Sequence, residues 1–130
     1  MDEKYEVIAN RKKNRLYITF GDLTDDQREK VVTEIWEKAQ VLETGWGCIV
    51  DYTNVASGAD TENALLHISD ALHVFDELEM GKLVRIIAPS QLNDFQEIKM
   101  KIENIANYEA IEVDTLDKAN AVLDKLMSYS

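Results

Sequence analysis

The sequence predicts an α/β fold built on a mixed, mostly parallel sheet, and three observations carry that expectation. Leu16, Ile18 and Phe20 alternate with Tyr17 and Thr19, the period-two signature of a strand with one buried face. Cys48-Ile49-Val50 and Leu83-Val84-Arg85-Ile86-Ile87-Ala88 are short, nearly continuous apolar runs, as expected of central strands covered on both sides. Stripes at helical spacing lie between and after these runs, and strands that alternate with helices pair in parallel through crossover connections.

Taken in order, Tyr5 to Asn10 reads as a first strand. The polar stretch Arg11–Asn14 then leads straight into the alternating segment. So short a connection forces an antiparallel hairpin, which makes the sheet mixed. A helix follows: Thr24 is placed to cap it with Gln27 three residues on, and Asp25 and Asp26 meet the positive end of its dipole. Val31, Val32, Ile35, Trp36, Ala39 and Leu42 form its apolar stripe, and Gly45 is expected as its C-cap. After the Cys48 strand a polar loop enters a second helix, about Thr61 to Glu79, with Leu65, Ile68, Leu72 and Phe75 inward and Gly81 ending it. Pro89-Ser90 stops the next strand, and Ser90 caps a third helix carrying Leu92, Phe95, Ile98, Ile102 and Ile105. A short strand, Ala110–Val113, leads to Thr115 as the cap of a terminal helix with Leu116, Ala119, Leu123 and Leu126 inward. The predicted order is β-β-α-β-α-β-α-β-α, with one domain over residues 1–130.

At 130 residues, 45% hydrophobic and 30% charged, the chain has the size and composition of one folded domain. No apolar run reaches the roughly 18 residues of a membrane span. The polar start Met1-Asp2-Glu3-Lys4 does not read as a targeting peptide, so a cytoplasmic location is the expectation. A net charge of −11 opposes nucleic acid and anionic membranes and favours a basic protein partner. The basic cluster Arg11-Lys12-Lys13 with Arg15 reads as solvated charge at a hairpin tip.

Catalytic signatures are few. Cys48 is the one cysteine, so there is no internal disulfide or thiolate cluster, and its apolar strand context reads as core packing. Gly21, Gly45, Gly47, Gly58 and Gly81 are too scattered to cradle a phosphate. His67 and His73 are six apart on the second helix, where chelation favours a spacing of four, so no metal or other cofactor is expected. Trp46 reads as a packing residue.

Asp51 is expected to end its strand, where parallel sheets place functional groups. Receiver-type phosphoacceptor chemistry also needs an acidic pair at the first strand and a lysine after a later one. The first strand opens a hairpin without such a pair, and the later strand ends in Ala88-Pro89-Ser90. What remains is a polar loop, Asp51–Thr61, entering a helix N-terminus whose free N–H groups favour anions. Its expected contact residues are Asp51, Thr53, Asn54, Ser57, Asp60 and Thr61, with Thr61 and Ser57 also candidate phosphorylation sites.

This element order, with Ile49-Val50-Asp51-Tyr52-Thr53-Asn54-Val55 at the strand end, resembles the STAS superfamily and most of all its SpoIIAA-like branch. The later strand Val84-Arg85-Ile86-Ile87-Ala88 and the closing segment Ile111 to Ala119 share the likeness, which covers nearly the whole chain. The resemblance implies a SpoIIAA-like (STAS) fold and a non-catalytic regulatory role like that of anti-sigma-factor antagonists, in which a partner kinase phosphorylates a serine after this strand. The family's Asp-Ser-Ser-Gly stretch falls here on Ala59-Asp60-Thr61-Glu62, so an acid and a threonine stand where the serines do. The branch is also likened to lipid-binding CRAL-TRIO domains, which implies the alternative: a carrier or sensor of a small apolar or anionic ligand. The expectation is a regulatory or protein-interaction module with no catalytic residues; a homodimer is left open.

Overall fold

The structure is a computed structural model that describes residues 5–21, 25–54, 77–88 and 110–127. The predicted second and third helices, with His67, His73, Ser57, Asp60, Thr61 and Ser90, lie outside these residues, as does the Thr24 cap.

Five strands form one mixed sheet in the order β1 (Tyr5–Asn10), β2 (Arg15–Gly21), β3 (Gly47–Asn54), β4 (Lys82–Ile86) and β5 (Ala110–Val113). The hairpin β1–β2 is antiparallel, and β2 to β5 run parallel to one another. Two helices are described, α1 (Asp25–Ala39) and α2 (Leu116–Met127). This is the α/β class that the sequence pattern predicts, with strand positions close to those expected.

Side-chain alternation distributes the core over both faces of the sheet. On one face Val31, Ile35 and Ala39 of α1 pack with Val7, Leu16, Ile18, Cys48 and Val50. On the other, Ala119 and Leu123 of α2 pack with Ile49, Val84 and Ile86. The stripe of α1 is narrower than its sequence reads, because Trp36 is 40% exposed and only Val31, Ile35 and Ala39 are buried. Likewise Leu116, expected inward, is 50% exposed at the first turn of α2. The cap of α2 is as expected: Thr115 Oγ1 accepts the Lys118 N–H at 3.2 Å.

The turn at the hairpin tip is set by Asn14, whose φ of 55° is left-handed, a region that asparagine tolerates better than most residues. Its side chain ties the tip to the α1–β3 connection, with Oδ1 accepting the Glu43 N–H at 2.7 Å and Nδ2 donating to the Glu43 carbonyl at 3.2 Å. Gly45 is not the C-cap of α1, which ends at Ala39, six residues earlier. It lies at φ 84° in the turn before β3 and donates its N–H to the Glu79 carbonyl at 2.8 Å. Before β4, the left-handed residue is Glu79 at φ 60°, not the expected Gly81. Gly81 serves a different need: a Cβ there would stand 2.5 Å from the Gly45 carbonyl oxygen, so two backbones pass where no side chain fits.

Candidate functional site

The predicted site begins on β3. Asp51 does not end this strand, which runs three residues further to Asn54. It lies in register between Thr19 of β2 and Ile86 of β4. Beyond it the β2–β3 register slips, from Thr19↔Asp51 to Gly21↔Asn54, so β3 carries one more residue than β2 over the same span. Such a bulge bends the strand and re-aims its side chains, and bulges gather beside functional sites. Here it coincides with a local bond pair: Asp51 Oδ1 accepts the Thr53 N–H at 2.8 Å and the Thr53 Oγ1–H at 2.6 Å. The half-buried carboxylate thereby fixes the strand end, and Thr53 is held exposed. Of the expected contact residues, Asp51 and Thr53 are hydrogen-bonded to each other. Asn54 is the last residue of the strand, while Ser57, Asp60 and Thr61 fall outside the described residues.

Asp51 faces the same side of the sheet as Ile49, the side on which α2 packs. Alternation places Thr19, Tyr17, Glu6 and Ile8 on that side too, and register aligns Glu6 with Thr19 and Ile8 with Tyr17. Among the described residues, α2 packs mainly over β3, β4 and β5 and reaches the hairpin only at Arg15 and Tyr17, so no described element packs over Glu6, Ile8 and Thr19 on this face. Ile8 is 48% exposed there. The result is a surface with an apolar patch at Ile8 and an acidic, hydroxyl-rich margin at Glu6, Thr19, Asp51 and Thr53.

Among the described residues, Cys48, Trp46 and the buried arginines are engaged in the fold. Cys48 is fully buried, and desolvation pushes its thiol pKa far up, so it is held as a neutral thiol. Trp46 is also fully buried, and its indole Nε1–H donates to the Leu78 carbonyl at 2.9 Å, which makes it a packing residue. Among the described residues, no three His, Cys, Asp or Glu side chains are grouped to hold a metal ion. None of the described helices is long and apolar enough to cross a membrane. An open groove of about 530 Å³ runs between Tyr5 and the first turns of α1, lined by Asp26, Glu29, Lys30, Thr33 and Glu34. Three of its six lining residues are acidic and one is basic.

Arg15 overturns the reading of the basic cluster. It is not solvated tip charge but the first residue of β2, 3% exposed, on the face toward α2. Its Nη2 donates to Asp124 Oδ1 at 2.5 Å and its Nη1 to Asn120 Oδ1 at 3.0 Å. Tyr17, two residues along the strand, donates its hydroxyl to the same Asn120 oxygen at 2.7 Å. The hydrogen bond from Arg15 holds the Asp124 carboxyl below the usual carboxylate range. The signal that could have found this network is a pair of spacings. Arg15 and Tyr17 share one strand face, and Asn120 and Asp124, four apart, share one helix face. A second arginine, Arg85, is 2% exposed on β4 and lies 3.9 Å from Glu112, its register partner on β5.

No protein-family model, curated protein or solved structure matches the chain.

Proposed function

We propose that this protein is a non-catalytic regulatory or interaction module, one that engages a basic protein partner through the Asp51–Thr53 strand end and the open hairpin face beside it. The observation that carries the reading is the irregular strand end itself. A bulge and two hydrogen bonds from Thr53 to one carboxylate oxygen build a defined polar rim where a plain ladder needs neither. Glu6 and Asp51 share that margin with exposed Ile8, an acidic and apolar pairing that complements a basic amphipathic segment. The net charge of −11 adds long-range attraction for such a partner.

The order of the described elements is compatible with the SpoIIAA-like branch of the STAS superfamily, and a role similar to that of anti-sigma-factor antagonists is part of the proposal. In that reading Thr61 or Ser57 accepts phosphate, and Asp60 supplies a fixed charge beside them. Strand order also favours recognition over small-molecule chemistry. Ligand crevices in open α/β sheets form where strand order reverses, and the order of the described strands runs without reversal from β1 to β5.

The test is affinity capture from the native host at low and at physiological ionic strength. The wild type is compared with an Asp51→Asn, Thr53→Val variant of matched thermal stability. A salt-sensitive partner retained by the wild type and lost by the variant is expected; equal retention by both rules out this surface as the contact.

A further inference from the structure

The two faces of the sheet are held in different ways. On the α1 side a cluster of twelve buried apolar residues joins α1 to four strands, among the described residues, and Cys48 lies within it. On the α2 side the cluster has five, and α2 contributes only Ala119 and Leu123 as fully buried side chains. Leu123 reaches down to Gly47, where even a methyl group would approach its Cδ1 to 3.0 Å. Partly buried Val122 and Met127 of α2 add apolar contact at the edge of this cluster, and a polar attachment joins them. Arg15, buried beneath the helix, grips Asn120 and Asp124 one turn apart, and Tyr17 bonds the same Asn120. Opposite this clamp, α2 begins directly after a two-residue bend at Asp114 and Thr115, a short hinge from β5.

We infer that α2 is a strap, latched by the Arg15 clamp, which opens about the Asp114–Thr115 bend while the α1 side of the domain stays folded. Local opening follows the elements with the least buried apolar contact, and among the described residues the α2-side cluster has five buried members against twelve on the α1 side, with Val122 and Met127 only partly buried. Release uncovers Ile49, Val84 and Ile86, an apolar row across the parallel strands, beside the open face of the hairpin. The clamp makes opening discrete. Arg15 is 3% exposed and the hydrogen bonds described for its guanidinium, through Nη1 and Nη2, all go to α2, so a half-released helix takes those partners away before water replaces them.

The molecule carries its own control. Cys48 alternates with Ile49 and faces α1, so release of α2 leaves it covered, and its exposure requires the α1 side to open. The experiment therefore reads two signals on the full chain: amide hydrogen exchange across residues 116–127, and the rate at which a thiol reagent labels Cys48. Asp124→Asn strips the charge partner from Arg15. It is expected to speed exchange in α2 by at least about tenfold while Cys48 labelling stays at the wild-type rate. Adding Arg15→Met removes the stranded charge, and the double variant is expected to return α2 exchange to within about threefold of wild type. If exchange and labelling rise together in Asp124→Asn, α2 opens only with the whole domain and the strap is refuted. Unchanged exchange in that variant, or a double variant that restores nothing, refutes the Arg15 clamp as the latch.

Discussion

Gly81 offers the sharpest test of how the fold is assembled, because replacing it with alanine adds one carbon at a place where there is no room. The new Cβ would stand 2.5 Å from the Gly45 carbonyl oxygen, 2.8 Å from its carbon and 2.9 Å from its Cα. All three are backbone atoms, so no rotamer change relieves the clash; the segment before β4 or the turn before β3 must move. That movement strains the Gly45 N–H bond to Glu79 and the Gly81 N–H bond to Trp46, both close to 2.9 Å. Overpacking of a rigid site costs about 1–3 kcal/mol, and a purely backbone clash belongs at the upper end. Against this stands a gain of about 0.4–1 kcal/mol, because alanine restricts the unfolded chain. The net expectation for Gly81→Ala is a loss of about 2–2.6 kcal/mol, or a fall in Tm of about 6–13 °C for a domain of this size. Gly47→Ala is the control. Its Cβ would also be tight, at 3.0 Å, but against Leu123 Cδ1 and Met127 Sδ, the ends of side chains that can turn aside. Its expected loss is below about 1 kcal/mol. Urea denaturation followed by circular dichroism, with m-values compared, gives both numbers. If Gly81→Ala proves no more destabilising than Gly47→Ala, the backbone crossing at Gly45 is not the constraint argued here.

Other expectations follow from single groups. Gly45→Ala meets nothing within 4 Å but must hold φ near 84°, so its cost of about 1–2 kcal/mol is conformational and should appear without any change in m-value. Trp46→Phe removes the indole donor to Leu78 and part of a fully buried side chain, and should cost about 2–3 kcal/mol by thermal denaturation. It should also leave a single, more red-shifted tryptophan emission from the partly exposed Trp36. Cys48 titrates far higher folded than unfolded, so the native state retains a proton that the unfolded chain loses. Stability should therefore fall as pH rises above about 8.5, with a slope approaching about 1.4 kcal/mol per pH unit, and Cys48→Ala should flatten that limb. Asp124 and Asp114 have the opposite sign. Hydrogen bonds from Arg15 and Lys118 lower their folded pKa values, so their contribution is present above the ordinary carboxylate range and fades as pH falls below about 4. Acid titrations of Asp124→Asn and Asp114→Asn should each lose that part of the dependence.

What the sequence disclosed, and what it withheld, divides along the range of the interactions involved. The hairpin, the apolar runs at Cys48 and Leu83 and the Thr115 cap all depend on neighbours within a few residues, and each stands where its pattern puts it. Arg15 reads from sequence as one more surface charge beside Arg11, Lys12 and Lys13, because its actual environment comes from Asn120 and Asp124, more than a hundred positions away. The strand running past Asp51 to Asn54 is hidden in the sequence for a related reason. A bulge is a relation between two strands, and nothing in Asp51-Tyr52-Thr53-Asn54 alone tells a strand with an extra residue from the start of a loop. The turn glycines were located but given the wrong tasks, since the left-handed position before β4 belongs to Glu79 and the need at Gly81 arises from a backbone distant in sequence.

The span between Arg15 and Asp124 also bears on how the chain is made. Strand order follows sequence order, so a chain emerging from the ribosome can add β3 to β2, β4 to β3 and β5 to β4 as each appears. The guanidinium of Arg15 must wait through 109 further residues before its carboxylate arrives. Until then the α2 side of the growing sheet carries, among the described residues, a cation without its carboxylate beside the row Ile49, Val84 and Ile86. A positive charge at the border of an exposed apolar strand face is a known deterrent to strand-to-strand aggregation. The same residue that later fastens the last helix would thus serve, during synthesis, as the guard of the surface that helix will cover.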